Sequence, residues 1–87
     1  MKSFEALWEE LSSKSSSRDE NSTTLKALSS GTHFIAKKIV EEASEVMLAA
    51  ESQGKSELAD EISQLIYWIQ VLMLDQKLSL DEIYERL

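Results

Sequence analysis

The sequence predicts an all-α fold: an antiparallel hairpin of two long amphipathic helices, with short helices flanking it. Three observations carry the prediction. The 87 residues include no proline and only two glycines, which leaves little for turn-dense β structure or Pro-rich segments. Apolar residues recur at helical spacing through two long stretches. The connection between those stretches is only a few residues, so the helices must fold back on one another.

Taken in order, Phe4, Leu7, Trp8 and Leu11 fall at i, i+3, i+4 and i+7, one stripe of a short helix that Ser3 can cap. Ser12 to Thr24 is rich in Ser, Asn, Asp and charge, and its composition reads as a flexible linker. Ser22-Thr23-Thr24 opens a short helical piece through Leu28, which Ser29-Ser30-Gly31 breaks. A long helix is expected from about Thr32 to Ser52, with Ile35, Ile39, Ala43, Val46 and Ala50 on its apolar face. Gly54 stands where a left-handed C-terminal residue is wanted. The second long helix is expected from about Ser56 to Gln76, facing inward with Leu58, Ile62, Leu65, Ile69 and Leu72. Ser79-Leu80-Asp81-Glu82 is a capping box, and Leu78 is placed to staple onto Ile83. Leu80, Ile83, Tyr84 and Leu87 would be the buried side of that last helix.

Size and composition set the bounds. The chain is expected to be a single domain, residues 1–87. The absence of cysteine excludes disulfides and Cys-based zinc sites. A hydrophobic content of 43% is too high for a typical disordered chain. Nine basic against sixteen acidic residues, a net charge of −7, argue against nucleic acid and anionic membranes as partners. Met1 leads straight into an amphipathic segment rather than a signal peptide, and no apolar run approaches the roughly 20 residues of a membrane span. A cytoplasmic location is expected. So small a chain is marginal alone. Val40, Met47, Ile66 and Met73 lie beside the main stripes, so a homodimer with a four-helix-bundle core is expected.

The carboxylates are patterned. On a 100° helical wheel Lys38, Glu42 and Glu45 fall roughly 80–140° to one side of the first long helix's apolar centre. Glu57, Glu61, Gln64 and Trp68 fall on the same angular side of the second. The two-fold relation between antiparallel helices brings these two stripes to one groove. Such a flank can simply be solvated. Like carboxylates at i, i+3 repel, however, and a hard cation such as Mg²⁺ would explain their clustering. Lys37 and Lys38 add donors for phosphate oxygens. The remaining notable side chains have plainer roles: His33 at the surface or in a cap, Trp8, Tyr67 and Trp68 in the core or an interface, Met47 and Met73 in the core.

Lys37-Lys38-Ile39-Val40-Glu41-Glu42-Ala43-Ser44-Glu45-Val46, followed by Asp60-Glu61-Ile62-Ser63-Gln64-Leu65-Ile66-Tyr67-Trp68, closely resembles the phosphoribosyl-ATP pyrophosphohydrolase family. That family belongs to the all-α, MazG-like nucleotide pyrophosphohydrolases. The resemblance extends to Ser22-Thr23-Thr24 through Leu28, to Gly31, and to Leu78-Ser79-Leu80-Asp81-Glu82, with Lys77 where the family has glycine. It implies Mg²⁺-dependent hydrolysis of the α–β phosphoanhydride of N1-(5-phospho-β-D-ribosyl)-ATP, the second step of histidine biosynthesis. It carries the metal motif onto Glu42, Glu45 and Glu61. Gln64 replaces the family's aspartate, Trp68 replaces a usual histidine, and Asp60 can compensate for the missing carboxylate. Glu41 or Asp60 is implied as the proton acceptor, and Lys37, Lys38, Arg18, Ser22 and Thr23 as the clamp on phosphate and ribose. The Ser-rich stretch then becomes a substrate loop. A relaxed (d)NTP pyrophosphohydrolase and a non-catalytic acidic helical interaction module are the alternatives.

Overall fold

The computed structural model describes residues 1–19 and 21–87; Glu20, within the expected loop, lies outside the described residues. Five helices follow in order: α1 (Phe4–Ser15), α2 (Thr23–Ser30), α3 (Thr32–Ser52), α4 (Lys55–Asp75) and α5 (Leu80–Tyr84). Antiparallel packing of α3 on α4 is the largest interface, as expected, and no strand occurs among the described residues. The long helices start and stop within one residue of their expected bounds.

Local chemistry explains most of the ends. Ser3 caps α1, its hydroxyl accepting from the Ala6 N–H at 3.0 Å. The helix then runs through Ser15, three residues into the stretch read as linker. The buried side chain of Leu11 anchors that turn, and the Ser15 hydroxyl donates back to the Ser12 carbonyl at 2.7 Å, so the serines sit in the helix instead of breaking it. Ser22 caps α2 through the Leu25 N–H. Ser29 and Ser30 also stay helical, both donating to the Lys26 carbonyl. Only Gly31, at φ 97°, makes the break, in a region where a side chain would be strained.

Gly54 corrects the expectation of a left-handed residue. Its φ is −90°, and Gln53 and Gly54 pass extended between the helices. The Gly54 N–H donates to Glu57 Oε2 at 3.0 Å; a Cβ would lie 2.8 Å from that oxygen, the free end of an exposed side chain that can shift, so glycine suits this cap without being required by it. The left-handed residue is Lys77 instead, at φ 58°. Leu78 N–H bonds the Met73 carbonyl and Lys77 N–H the Leu74 carbonyl, which closes α4 in a Schellman motif.

The core lies at one end of the hairpin. Leu11, Ala27, Ile35 and Val71 are buried together, with Leu7, Leu28, Tyr67, Trp68, Leu72 and Leu74 packed around them. Helices α1 and α2 therefore cover the start of α3 and the end of α4. The Thr24 and Tyr67 hydroxyls, 2.8 Å apart, pin α2 to α4. Gln70, fully buried, donates to the Phe4 carbonyl and fixes α1. Helix α5 is peripheral, capped reciprocally by Ser79 and Glu82. Leu78 and Ile83 line one shallow depression. None of the α5 residues expected on a buried side is buried: Leu80 and Ile83 are half-buried, Tyr84 is exposed, and Leu87 lies past the helix end.

The hairpin seam is rotated from the apolar faces read in the sequence. On α3 the sheltered residues of the seam are Ile35, Lys38, Ile39, Glu42, Val46 and Ala49, with Ala36 half-buried on the opposite flank; on α4 they include Leu58, Glu61, Leu65, Trp68 and Leu72. Both arcs centre roughly 60–70° toward the carboxylates from the expected position. Val40 and Met47 on α3, 66% and 61% exposed, and Ile62 and Ile69 on α4 are left uncovered. Ala43 and Ala50, expected inside, are exposed as well, and Met47 is no core residue.

Candidate active site

The rotation carries the acid stripes from the rim of the seam into it. Glu42 on α3 and Glu61 on α4 are half-buried, while Glu45, Asp60 and Glu41 are exposed beside them. Desolvation is the chief cause that lifts the Glu61 carboxyl above the usual carboxylate range; the charges of Glu45, Glu42 and Asp60 and a hydrogen bond with Glu42 add to it. The two helices thus hold several carboxylates in one another's field. Among the described residues no three converge tightly enough to enclose an ion as they stand.

The remaining expected residues divide. Lys38 lies at the groove, its Nζ 3.3 Å from Glu41 Oε2 and 5.5 Å from the centre of the Trp68 ring. Lys37, about 100° further round the helix, is exposed on another side. Ser22 is occupied as the α2 cap. Arg18 lines a separate surface depression with Asp19, Leu25, Lys26 and Ser29, and none of the acid-stripe residues lines it. Thr23 and Gln64 come together with Tyr67 and Trp68 around a cavity of about 350 Å³. The sequence reading assigned both aromatics to the core or an interface. The structure gives them that packing and a cavity wall besides, with Phe34 meeting Trp68 edge-on at 6.2 Å. The signal was present in the spacing, since Trp68 stands seven residues after Glu61 on the same stripe.

Chemically, the donor set consists of oxygens only. Carboxylates that repel one another and are partly stripped of water fit a hard divalent cation, with Glu42, Glu45 and Glu61 as the residues that would hold it. A helical hairpin with this groove and a cavity beside it belongs to the class of all-α, MazG-like nucleotide pyrophosphohydrolases. The family model described as phosphoribosyl-ATP pyrophosphohydrolase matches residues 4–87. The chain is 51% identical over 87 residues to a phosphoribosyl-ATP pyrophosphatase of Bifidobacterium adolescentis, covering all of both chains. The protein of the same name from Bifidobacterium animalis subsp. lactis matches to the same extent. The chain belongs to the phosphoribosyl-ATP pyrophosphohydrolase family.

Proposed function

We propose that this chain, acting as a single domain, hydrolyses phosphoribosyl-ATP to phosphoribosyl-AMP and pyrophosphate in histidine biosynthesis, with Mg²⁺ as cofactor. The observation that carries the proposal is the carboxylate pair Glu42 and Glu61, sheltered across the seam with Glu45 and Asp60 in their field. A polyanionic substrate would be repelled by such a groove unless a cation came with it. Bound by Glu42, Glu45 and Glu61, Mg²⁺ would offset the phosphate charge and acidify a water. Asp60, next to Glu61 and exposed, is positioned to take that water's proton. Glu41 is the weaker choice because Lys38 engages it at 3.3 Å. Lys38, paired with Glu41, and Thr23, on the cavity with Gln64 and Trp68, are the donors we favour for phosphate and ribose oxygens over Lys37, Ser22 and Arg18. Gln64, a neutral amide and the poorest ligand of the expected metal set, faces the cavity with Thr23 and Trp68 and is left out of the metal site.

Among the described residues no helix is long and apolar enough to cross a membrane. The biosynthetic role favours a cytoplasmic enzyme, and the uncovered apolar residues Val40 and Met47 favour a homodimer. Pyrophosphate release is the deciding measurement, run with Mg²⁺ on phosphoribosyl-ATP and on ordinary (d)NTPs. Turnover of phosphoribosyl-ATP far above that of the (d)NTPs is expected, and its loss on chelation. Equal rates on all nucleotides would make this a relaxed pyrophosphohydrolase. No release from any of them would leave a non-catalytic module.

A further inference from the structure

Trp68 occupies a position that the proposed chemistry leaves unused. Its indole is held on three sides: Phe34 and Tyr67 meet it edge-on at 6.2 and 5.2 Å, and the Lys38 ammonium lies 5.5 Å from its centre. The ring is therefore fixed, it already hosts a cation, and it forms a wall of the 350 Å³ cavity with Thr23, Gln64 and Tyr67. None of those lining residues is a carboxylate, so the cavity suits a flat, polar, non-phosphate group, while the acid stripe one to two turns away serves the phosphates.

The substrate class supplies a matching group. An adenine substituted at N1 is an amidine, more basic than adenine itself and able to carry positive charge around the ring. We propose that Trp68 and Gln64 are specificity-determining residues that receive this N1-substituted base, the indole by stacking and cation–π attraction, the amide by hydrogen bonds to the base edge. The exchange is complementary: the incoming base takes the cation position on the ring, and the phosphates take Lys38. An amide both donates and accepts, as base recognition requires, whereas a carboxylate only accepts.

The inference rests on the proposed substrate, and two measurements separate their failures. In kinetics, Trp68→Leu should raise KM for both nucleotides and should also lower the preference for phosphoribosyl-ATP over ATP roughly tenfold, the scale of a desolvated cation–π contact that the neutral base lacks. Trp68→Phe should retain most of that preference, and the Mg²⁺ half-saturation should not move. Equal losses on both substrates, a loss confined to kcat, or a shifted Mg²⁺ requirement would overturn the assignment. Because Trp68 also packs on the core, Gln64→Ala on the exposed rim provides a second variant with the same expected KM signature. The other measurement needs no turnover. With Trp8→Phe, Trp68 is the sole tryptophan, and 1-methyladenosine should quench its fluorescence at lower concentration than adenosine does. Indifference to both nucleosides, or no preference between them, sinks the base site even if phosphoribosyl-ATP is hydrolysed. Preferential quenching without hydrolysis sustains the base site and sinks the proposed activity.

Discussion

Lys77 holds a left-handed conformation at φ 58° to close α4, where the resembled family has glycine. A β-carbon there costs of order 1–3 kcal/mol, and glycine would return roughly 0.5–1 kcal/mol of that in lost backbone entropy. Lys77→Gly should therefore stabilise the protein by about 1 kcal/mol, raising Tm by several degrees in a thermal melt followed by circular dichroism. Glu61 shows the opposite relation between stability and function. Its raised pKa means that the folded state disfavours its charge. Glu61→Gln should melt at a higher temperature than the native protein in the absence of metal, while releasing little or no pyrophosphate. A lower melting temperature would show that the ionised carboxylate supports the fold. Such residues mark the limits of sequence reading. The acids are legible in their spacing, but the left-handed conformation of Lys77, closed by bonds from Leu78 to Met73 and from Lys77 to Leu74, is not announced by a lysine side chain.

At the scale of elements, caps and lengths were legible because they depend on neighbours in the chain. Ser3, Ser22 and the Ser79–Glu82 box all cap as their spacing indicates. The exceptions were decided by distant contacts, as with Leu11, which draws the serine-rich end of α1 into helix. One further tie joins the start of α3 to the end of α4. The Thr32 hydroxyl donates to Asp75 Oδ2 at 2.6 Å and Gln76 Nε2 donates to the same oxygen at 2.8 Å. The Thr32 bond first and the Gln76 bond second hold the Asp75 carboxyl below its ordinary value. Its stabilisation is thus fully present above the range of an unfolded aspartate and is lost as pH falls through the lowered folded value. Thr32→Val should lose stability at neutral pH and show a shallower further loss below about pH 4 in denaturant titrations. Parallel curves for the two proteins would show that the tie carries no pH-dependent stability.

For the whole molecule, the hairpin was legible and its rotation was not. The sequence places the apolar centre of α3 between Ile39 and Ala50, which is the average of two separate faces. One is the seam through Ile35, Glu42 and Ala49. The other is the uncovered stripe through Val40, Ala43 and Met47. A wheel cannot divide one wide apolar arc between two partners. That division also explains why a groove expected at the border of the core runs through the seam. The uncovered stripe, with Ile62 and Ile69, is the surface we assign to a second copy. Light scattering at micromolar concentration should give twice the mass of one chain, and Met47→Asp should give the monomer. A native protein that is already monomeric would remove the four-helix-bundle core from the description.

The threefold use of α3 also governs which of its positions can change. Seam, acid stripe and uncovered apolar stripe together claim most of the helix circumference. The remainder is a narrow arc holding Lys37, Ser44 and Leu48, all exposed. In a saturation-mutagenesis screen for histidine prototrophy, tolerance along this helix should concentrate in that arc, recurring at steps of four or seven residues rather than following exposure alone. Met47, Val40 and Glu45 are as open to solvent as Ser44, yet should prove far less replaceable. A fluorophore or crosslinker is best attached through a cysteine at Ser44, where the chain has no thiol to compete with it.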